Sequence, residues 1–187
     1  MNDGLYLRAI DSQLSITGDG RTVLGLLAPY NQVTRVDDGF GPYYEQFDPG
    51  CFERCIKGNA SYLRVQLEHN GHWVGRGQNW QDGPPGLAGA LRLDDTEAGR
   101  EAAFKIRDGQ TTGLSLAFRP SANDPVIEHP DGRQVVHRRR VKALHHVALC
   151  QFPAYNQALV TAVRSAPDGP PERLQYWKNW TANVRRV

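Results

Sequence analysis

The stretch Thr112-Gly113-Leu114-Ser115-Leu116-Ala117-Phe118 alternates without a break. Leu114, Leu116 and Phe118 make one face of large apolar side chains, and Gly113, Ser115 and Ala117 make an opposite face of small ones. A period of two marks a strand, because successive side chains leave it on opposite sides. The large face reads as core. The small face admits another backbone at close range, and it carries one hydroxyl. The same period recurs from Tyr62 to His69, where Leu63, Val65, Leu67 and His69 point one way and Tyr62, Arg64, Gln66 and Glu68 the other. His69 then reads as the last inward position of a half-buried strand, next to glycine-rich sequence.

Outward from these two strands the chain keeps the same character. Leu5 to Ile10 and Thr22 to Ala28 read as strands with the turn residues Gly18-Asp19-Gly20 between them, and Leu87 to Leu93 reads as another. Val135 to Gln151 is strand-like throughout, and Leu159 to Val163 is a last strand. Asp37 to Gly50 reads as a long loop. Asn70 to Gly86 reads as loop around at most one short strand, on account of its glycines and prolines. Two helices interrupt the strands. One is short, Cys51 to Ile56, stopped by Gly58. The other opens at Asp94, with Glu97 completing a variant capping box, shows Ala98, Ala102 and Ile106 on one stripe, and stops at Asp108-Gly109.

The expected fold is therefore mainly β with a few helices (α+β), a barrel or sandwich and not a doubly wound sheet. Its 187 residues suit one compact domain, placed at residues 1–164. Ser165-Ala166-Pro167-Asp168-Gly169-Pro170-Pro171 reads as a linker by composition. In residues 174–187, Tyr176, Trp180, Val184 and Val187 follow helical spacing. That tail either packs back on the domain or docks on a partner.

Bulk properties exclude several classes. A net charge of +2 is too small for a general nucleic-acid binder, so no specific nucleic-acid partner is expected. The one basic run, His137-Arg138-Arg139-Arg140, reads first as a solvated strand or hairpin arm and second as a patch for phosphate or an acidic partner. No apolar run reaches the ~20 residues that span a bilayer, and Met1-Asn2-Asp3-Gly4 does not read as the start of a signal peptide. Cys51, Cys55 and Cys150 are odd in number and read as reduced thiols.

The candidate chemistry is nucleophilic. A serine hydroxyl needs a base within hydrogen-bond reach, and that base needs a third group to orient it. Ser115 sits on a small-residue face. His69 and the pair His145-His146 are candidate partners. His146, Ala148 and Cys150 share one side of their strand, opposite Val147 and Leu149, so two strands could line a shallow cleft with one polar residue each. A metal site built from His69, His72, His145, His146 and Cys150 lacks paired ligand motifs of defined spacing. No metal and no cofactor are expected.

Five segments in order give these residues a context. They are Phe47-Asp48-Pro49-Gly50-Cys51-Phe52, Leu67-Glu68-His69-Asn70, Thr96-Glu97-Ala98-Gly99-Arg100, Gly113-Leu114-Ser115-Leu116-Ala117-Phe118 and Phe152-Pro153-Ala154-Tyr155. On them, Thr22 to Ser165 resembles the prohead protease family of tailed phages, itself related in fold to the herpesvirus assemblins. The resemblance implies a single-domain β-barrel and a serine endopeptidase. It implies Ser115 as nucleophile, from the glycine-x-serine motif, and His69 as base, from the leucine-x-histidine motif. The family's third member, commonly a glutamate before a valine, falls on His146 before Val147. This departure implies a Ser-His-His set like that of the assemblins, and a slow enzyme, because a neutral imidazole brings no full negative charge to the imidazolium. His145 is the rival for that role. No motif fixes the oxyanion hole.

The resemblance also implies partners and a place. The substrates would be scaffold, an extension of the major capsid protein, and the chain itself, with residues 165–171 as an exposed self-cleavage region. The place would be the assembling prohead in the host bacterial cytoplasm. Assemblin relatives dimerise, so a homodimer is implied as an option. Loss of the usual glutamate leaves one other reading, a catalytically weak or inactive scaffold or shell component that keeps the protease fold.

Overall fold

A computed structural model of the chain describes residues 5–11, 14–38, 40–59, 63–68 and 72–151. In chain order its elements are β1 (Tyr6–Asp11), β2 (Ser15–Ile16), β3 (Thr22–Pro29), β4 (Thr34–Asp37), β5 (Pro42–Phe47), α1 (Glu53–Asn59), β6 (Arg64–Leu67), β7 (His72–Gly83), β8 (Gly86–Leu93), α2 (Glu97–Arg107), β9 (Gly113–Pro120), β10 (Val126–Glu128), β11 (Gln134–Arg138) and β12 (Val141–Cys150). The strand expected at Leu159 to Val163, the linker at 165–171 and the helical tail lie outside the described residues. No helix among the described residues is long and apolar enough to cross a membrane.

Eight strands form one sheet in the order β1-β9-β12-β6-β7-β8-β3-β2, and four form a second in the order β10-β11-β5-β4. The large sheet is antiparallel except where β12 meets β6. It curls into a half-barrel. The evidence lies at Gly25 of β3: a Cβ there would come within 2.3 Å of Leu114 Cδ1 on β9, a strand near the other end of the sheet order. Only a strongly curved sheet brings these two strands together, and only glycine leaves room for the contact. Leu27, Val65, Leu91, Leu114, Leu116, Phe118, Val147 and Leu149 fill the concave side. Helix α2 adds Ala102, Ala103 and Ile106 to this core. The mainly-β expectation holds, and Leu114, Leu116 and Phe118 are fully buried core residues as their alternation requires.

Four local expectations change. Residues 37–50 are not loop throughout, because β5 and the end of β4 run through them. Their polar residues disguised the strand: the buried positions of β5 include Glu45 and Gln46. Residues 70–86 hold the longest strand, the twelve-residue β7. Its glycines serve packing, not turning. A Cβ at Gly75 would lie 2.3 Å from the Arg92 carbonyl oxygen, and one at Gly77 would meet the Trp80 ring at 2.1 Å. The cap of α2 is Thr96, whose side chain accepts from Gly99 N at 3.1 Å, and not Asp94. The run from Val135 to Gln151 also divides, into β11 and β12, with β12 bulged between Val141 and Ala143 and between Leu144 and His146.

A buried charge network joins the two sheets. Arg8 of β1 donates through Nε to Glu45 of β5, and its two terminal nitrogens grip Asp38 at 2.7 and 2.9 Å. Arg138 of β11 donates from the other side, to Glu45 Oε2 at 2.8 Å and to Asp124 at 3.2 Å. Tyr43 Oη accepts from both guanidiniums at 2.9 Å. Burial works against the Arg8 cation, but the hydrogen bonds and charges of Asp38 and Glu45 outweigh it and hold Arg8 charged. Arg138, the second member of the basic run, thus points inward and is not part of a solvated arm.

Candidate active site

The convex side of the large sheet carries the candidate residues. Registered neighbours on adjacent strands share a face. Across β1, β9, β12, β6 and β7 one row therefore reads Ala9, Ser115, Ala148, Gln66, Trp73. The next row reads Leu7, Ala117, His146, Arg64, Arg76. Ser115 and His146 are thus diagonal neighbours on paired strands, with Ala117 and Ala148 at the other two corners. The bulge before His146 makes this alignment. It takes up one residue, so that Leu144 faces the core opposite Phe118 while His146 faces outward opposite Ala117. The register places Ser115 and His146 on the same side of the sheet, with Ser115, Ala117 and Ala148 buried. His145 occupies the bulge and is exposed.

Two side chains flank His146. Trp73 meets its ring edge to face at 6.2 Å, and Arg64 lies over the same indole at 4.8 Å from the ring centre. Burial, with the charge of His145 second, holds the His146 imidazole below its ordinary range. It is neutral at pH 7 and able to accept a hydrogen bond. Trp73 and Gln66 were not singled out from the sequence. Their signal is the register of β6 against β7, which sequence does not print.

The other nucleophile on this face is excluded by its chemistry. Cys150 lies one pair further along β12, and burial together with the Glu68 carboxylate pushes its thiol up to about 12. Burial raises the Cys51 and Cys55 thiols as well. None of the three is a thiolate at neutral pH, so none is an activated nucleophile. Among the described residues, no group of three His, Cys, Asp or Glu side chains is placed to hold a metal ion.

His69 lies outside the described residues, but the segment that leads to it is informative. Val65 and Leu67 face the core, so strict alternation through residue 69 would set His69 on the concave side, away from Ser115. The strand does not continue that far. Its last residue is Leu67, and Glu68 has φ +56°, in the left-handed region that non-glycine residues rarely adopt. Two bonds fix this turn. Glu68 N donates to Leu149 O at 2.9 Å, and Glu68 Oε1 accepts from Gln151 N at 2.7 Å. The alternation that assigned His69 to the inward face therefore ends one residue before it.

Residues 11–168 match the family model of the caudovirus prohead serine protease. The chain is 25% identical over 174 residues to the prohead protease of Enterobacteria phage HK97, an alignment that takes in 91% of this chain and 72% of that protein. Among solved structures it is similar to the bacteriophage T4 capsid assembly protease, gp21, with a TM-score of 0.44 and 11% identity over 71% of this chain and 98% of that one. A curled, mainly-β sheet that presents a serine among alanines, matched along most of its length by one family model, has one assignment: the chain belongs to the caudovirus prohead serine proteases.

Proposed function

We propose that Ser115 is the nucleophile of this protease, His69 its general base and His146 the group that orients the base. The observation that carries the reading is the diagonal placement of Ser115 and His146 on one outward face. Diagonal neighbours stand ~7–8 Å apart, which leaves space for one imidazole between a hydroxyl and a second imidazole. The alternation of β6 ends at Glu68, whose φ of +56° breaks the extended backbone, and this supports giving the base role to the residue that follows. The hydroxyl proton passes to His69 as Ser115 Oγ attacks the scissile carbonyl, and His69 then returns that proton to the leaving amine. His146, neutral, accepts from the far nitrogen of His69.

Membership of the prohead protease family supports a reading of the substrates. The protein cuts scaffold or an extension of the major capsid protein inside the assembling prohead, in the host cytoplasm, and cuts itself in the segment 165–171. Co-expression with the matching capsid and scaffold proteins tests this. Wild type should shorten them and Ser115→Ala should leave them full length; equal processing by both proteins would overturn the assignment.

The third residue predicts a pH effect. A carboxylate in place of His146 stabilises protonated His69, which raises its pKa. His146→Glu should therefore keep or raise kcat while moving the acid limb of the kcat/KM profile to higher pH. An inactive but folded His146→Glu protein, or a limb that moves to lower pH, would contradict the role given to His146.

The turn predicts a backbone effect. Proline fixes φ near −65° and has no N–H, so Glu68→Pro loses both the left-handed turn and the bond to Leu149. A misplacement on the ångström scale costs on the order of a hundredfold in rate, and a loss of that size is expected here. Glu68→Gly, which adopts positive φ freely, should stay within a few-fold of wild type. Kinetics beside a melting curve for each variant decide it, and equal activity of the two folded variants would count against the turn as the device that sets His69.

A further inference from the structure

A groove of about 600 Å³ opens between α1, the β9–β10 connection and the start of β12. Arg54, Arg140 and Lys142 line it, with Leu63, Leu144 and Cys55 supplying apolar surface. The three cations are exposed, and none makes an ion pair with a described residue. Among the described residues, no acidic and no aromatic side chain lines the groove. Arg140 closes the basic run of the sequence, and it is the member of that run that faces the groove.

The walls are fixed independently of any ligand. Cys55 Sγ donates to Val141 O at 3.1 Å, and Val141 N donates to Cys51 O at 2.9 Å, which ties α1 to β12. Asp124, its side chain buried, accepts from the Arg138 side chain at 3.2 Å, and Arg139 N donates to His137 O at 2.9 Å, so the backbone leading to Arg140 is held in place. Basic groups held around a concave, half-apolar surface complement an anionic chain that also carries apolar side chains. A single-stranded nucleic acid fits less well, because its bases stack on aromatic side chains and the described lining offers none.

We infer that this groove docks an acidic, leucine-rich type of segment of the polypeptide substrate. The inference rests on the reading of the chain as a protease that acts at Ser115. With the bulge taking up one residue, Leu144 lies three register pairs from Ala148, the partner of Ser115, roughly 10 Å along the strand, and it faces the opposite side of the sheet. A substrate chain held in the groove would therefore pass around the end of β12 to bring a segment several residues away to the serine. The groove is then an anchoring site separate from the scissile bond, and it selects substrates by charge.

The test uses a fluorescein-labelled peptide of alternating Glu and Leu, the Ser115→Ala protein so that nothing is cut, and fluorescence anisotropy. Saturable binding is expected, weakened about tenfold or more by Arg54→Glu with Lys142→Glu, and weakened as salt is raised from roughly 50 to 500 mM. Lys142→Glu alone should give an intermediate loss. An alternating Lys and Leu peptide should not bind. No saturable binding, an unchanged affinity in the charge-reversed protein, or tighter binding of a single-stranded oligothymidylate would each overturn the inference. In the Ser115-containing charge-reversed protein a small fluorophosphonate should still label Ser115 at the wild-type rate. Loss of that labelling in the wild type itself would be failure of the protease reading, visible separately from failure of the groove.

Discussion

Ser115→Ala should lower kcat by about four to six orders of magnitude while leaving the fold intact. The size of the loss follows from removing the atom proposed to form the acyl bond; what remains is binding and polarisation of the carbonyl. The intact fold follows from the surroundings. Ser115 is 2% exposed, its registered neighbours are Ala9 and Ala148, and the change deletes one oxygen without opening space between large side chains. Melting temperature should therefore shift by no more than a few degrees. Purified protein assayed on the proposed capsid-protein substrate, beside a thermal melt, separates the two effects. A variant that loses activity only because it unfolds, or one that keeps more than a few per cent of kcat, would remove Ser115 from the chemistry.

Glu45→Gln should be the most destabilising single substitution on the polar side of the core. Glu45 is 2% exposed and stands between the guanidiniums of Arg8 and Arg138. The amide keeps the volume and removes the charge, leaving two buried cations with less compensation. Breaking a buried ion pair in this way costs about 3–5 kcal/mol. In a chain of this size that lowers the melting temperature by roughly 6–20 °C. The interaction lies between β1 of the large sheet and β5 and β11 of the small one, so the loss should loosen the small sheet first. Urea or thermal unfolding measures it, and a cost below about 1 kcal/mol would mean that the network does not hold the sheets together.

Much of this was legible in the sequence, and the illegible parts have specific causes. Period-two alternation at Thr112 to Phe118 and at His146 to Cys150 located the core face and the small outward face, because both strands obey simple pleating where it matters. The same rule stops short of His69, which lies outside the described residues. It assumes an extended backbone, and Glu68 at φ +56° breaks that assumption with no glycine to announce it. Strand β7 was hidden because glycine usually signals a turn, whereas Gly75 and Gly77 serve close contact with Arg92 and Trp80. Strand β5 was hidden because Glu45 looks solvent-facing until its two arginine partners, distant in sequence, are known. The basic run looked uniform, yet structure divides it: Arg138 goes to the buried network and Arg140 to the groove.

The central claim is that a particular imidazole activates a particular hydroxyl on the convex face of the sheet. A fluorophosphonate that phosphonylates activated serines, followed by tandem mass spectrometry of the digested protein, addresses it without knowledge of the natural substrate. The adduct should sit on Ser115, and its formation should slow by about two orders of magnitude or more in His69→Ala. An adduct on another serine, or labelling of Ser115 at the same rate in His69→Ala, would contradict it.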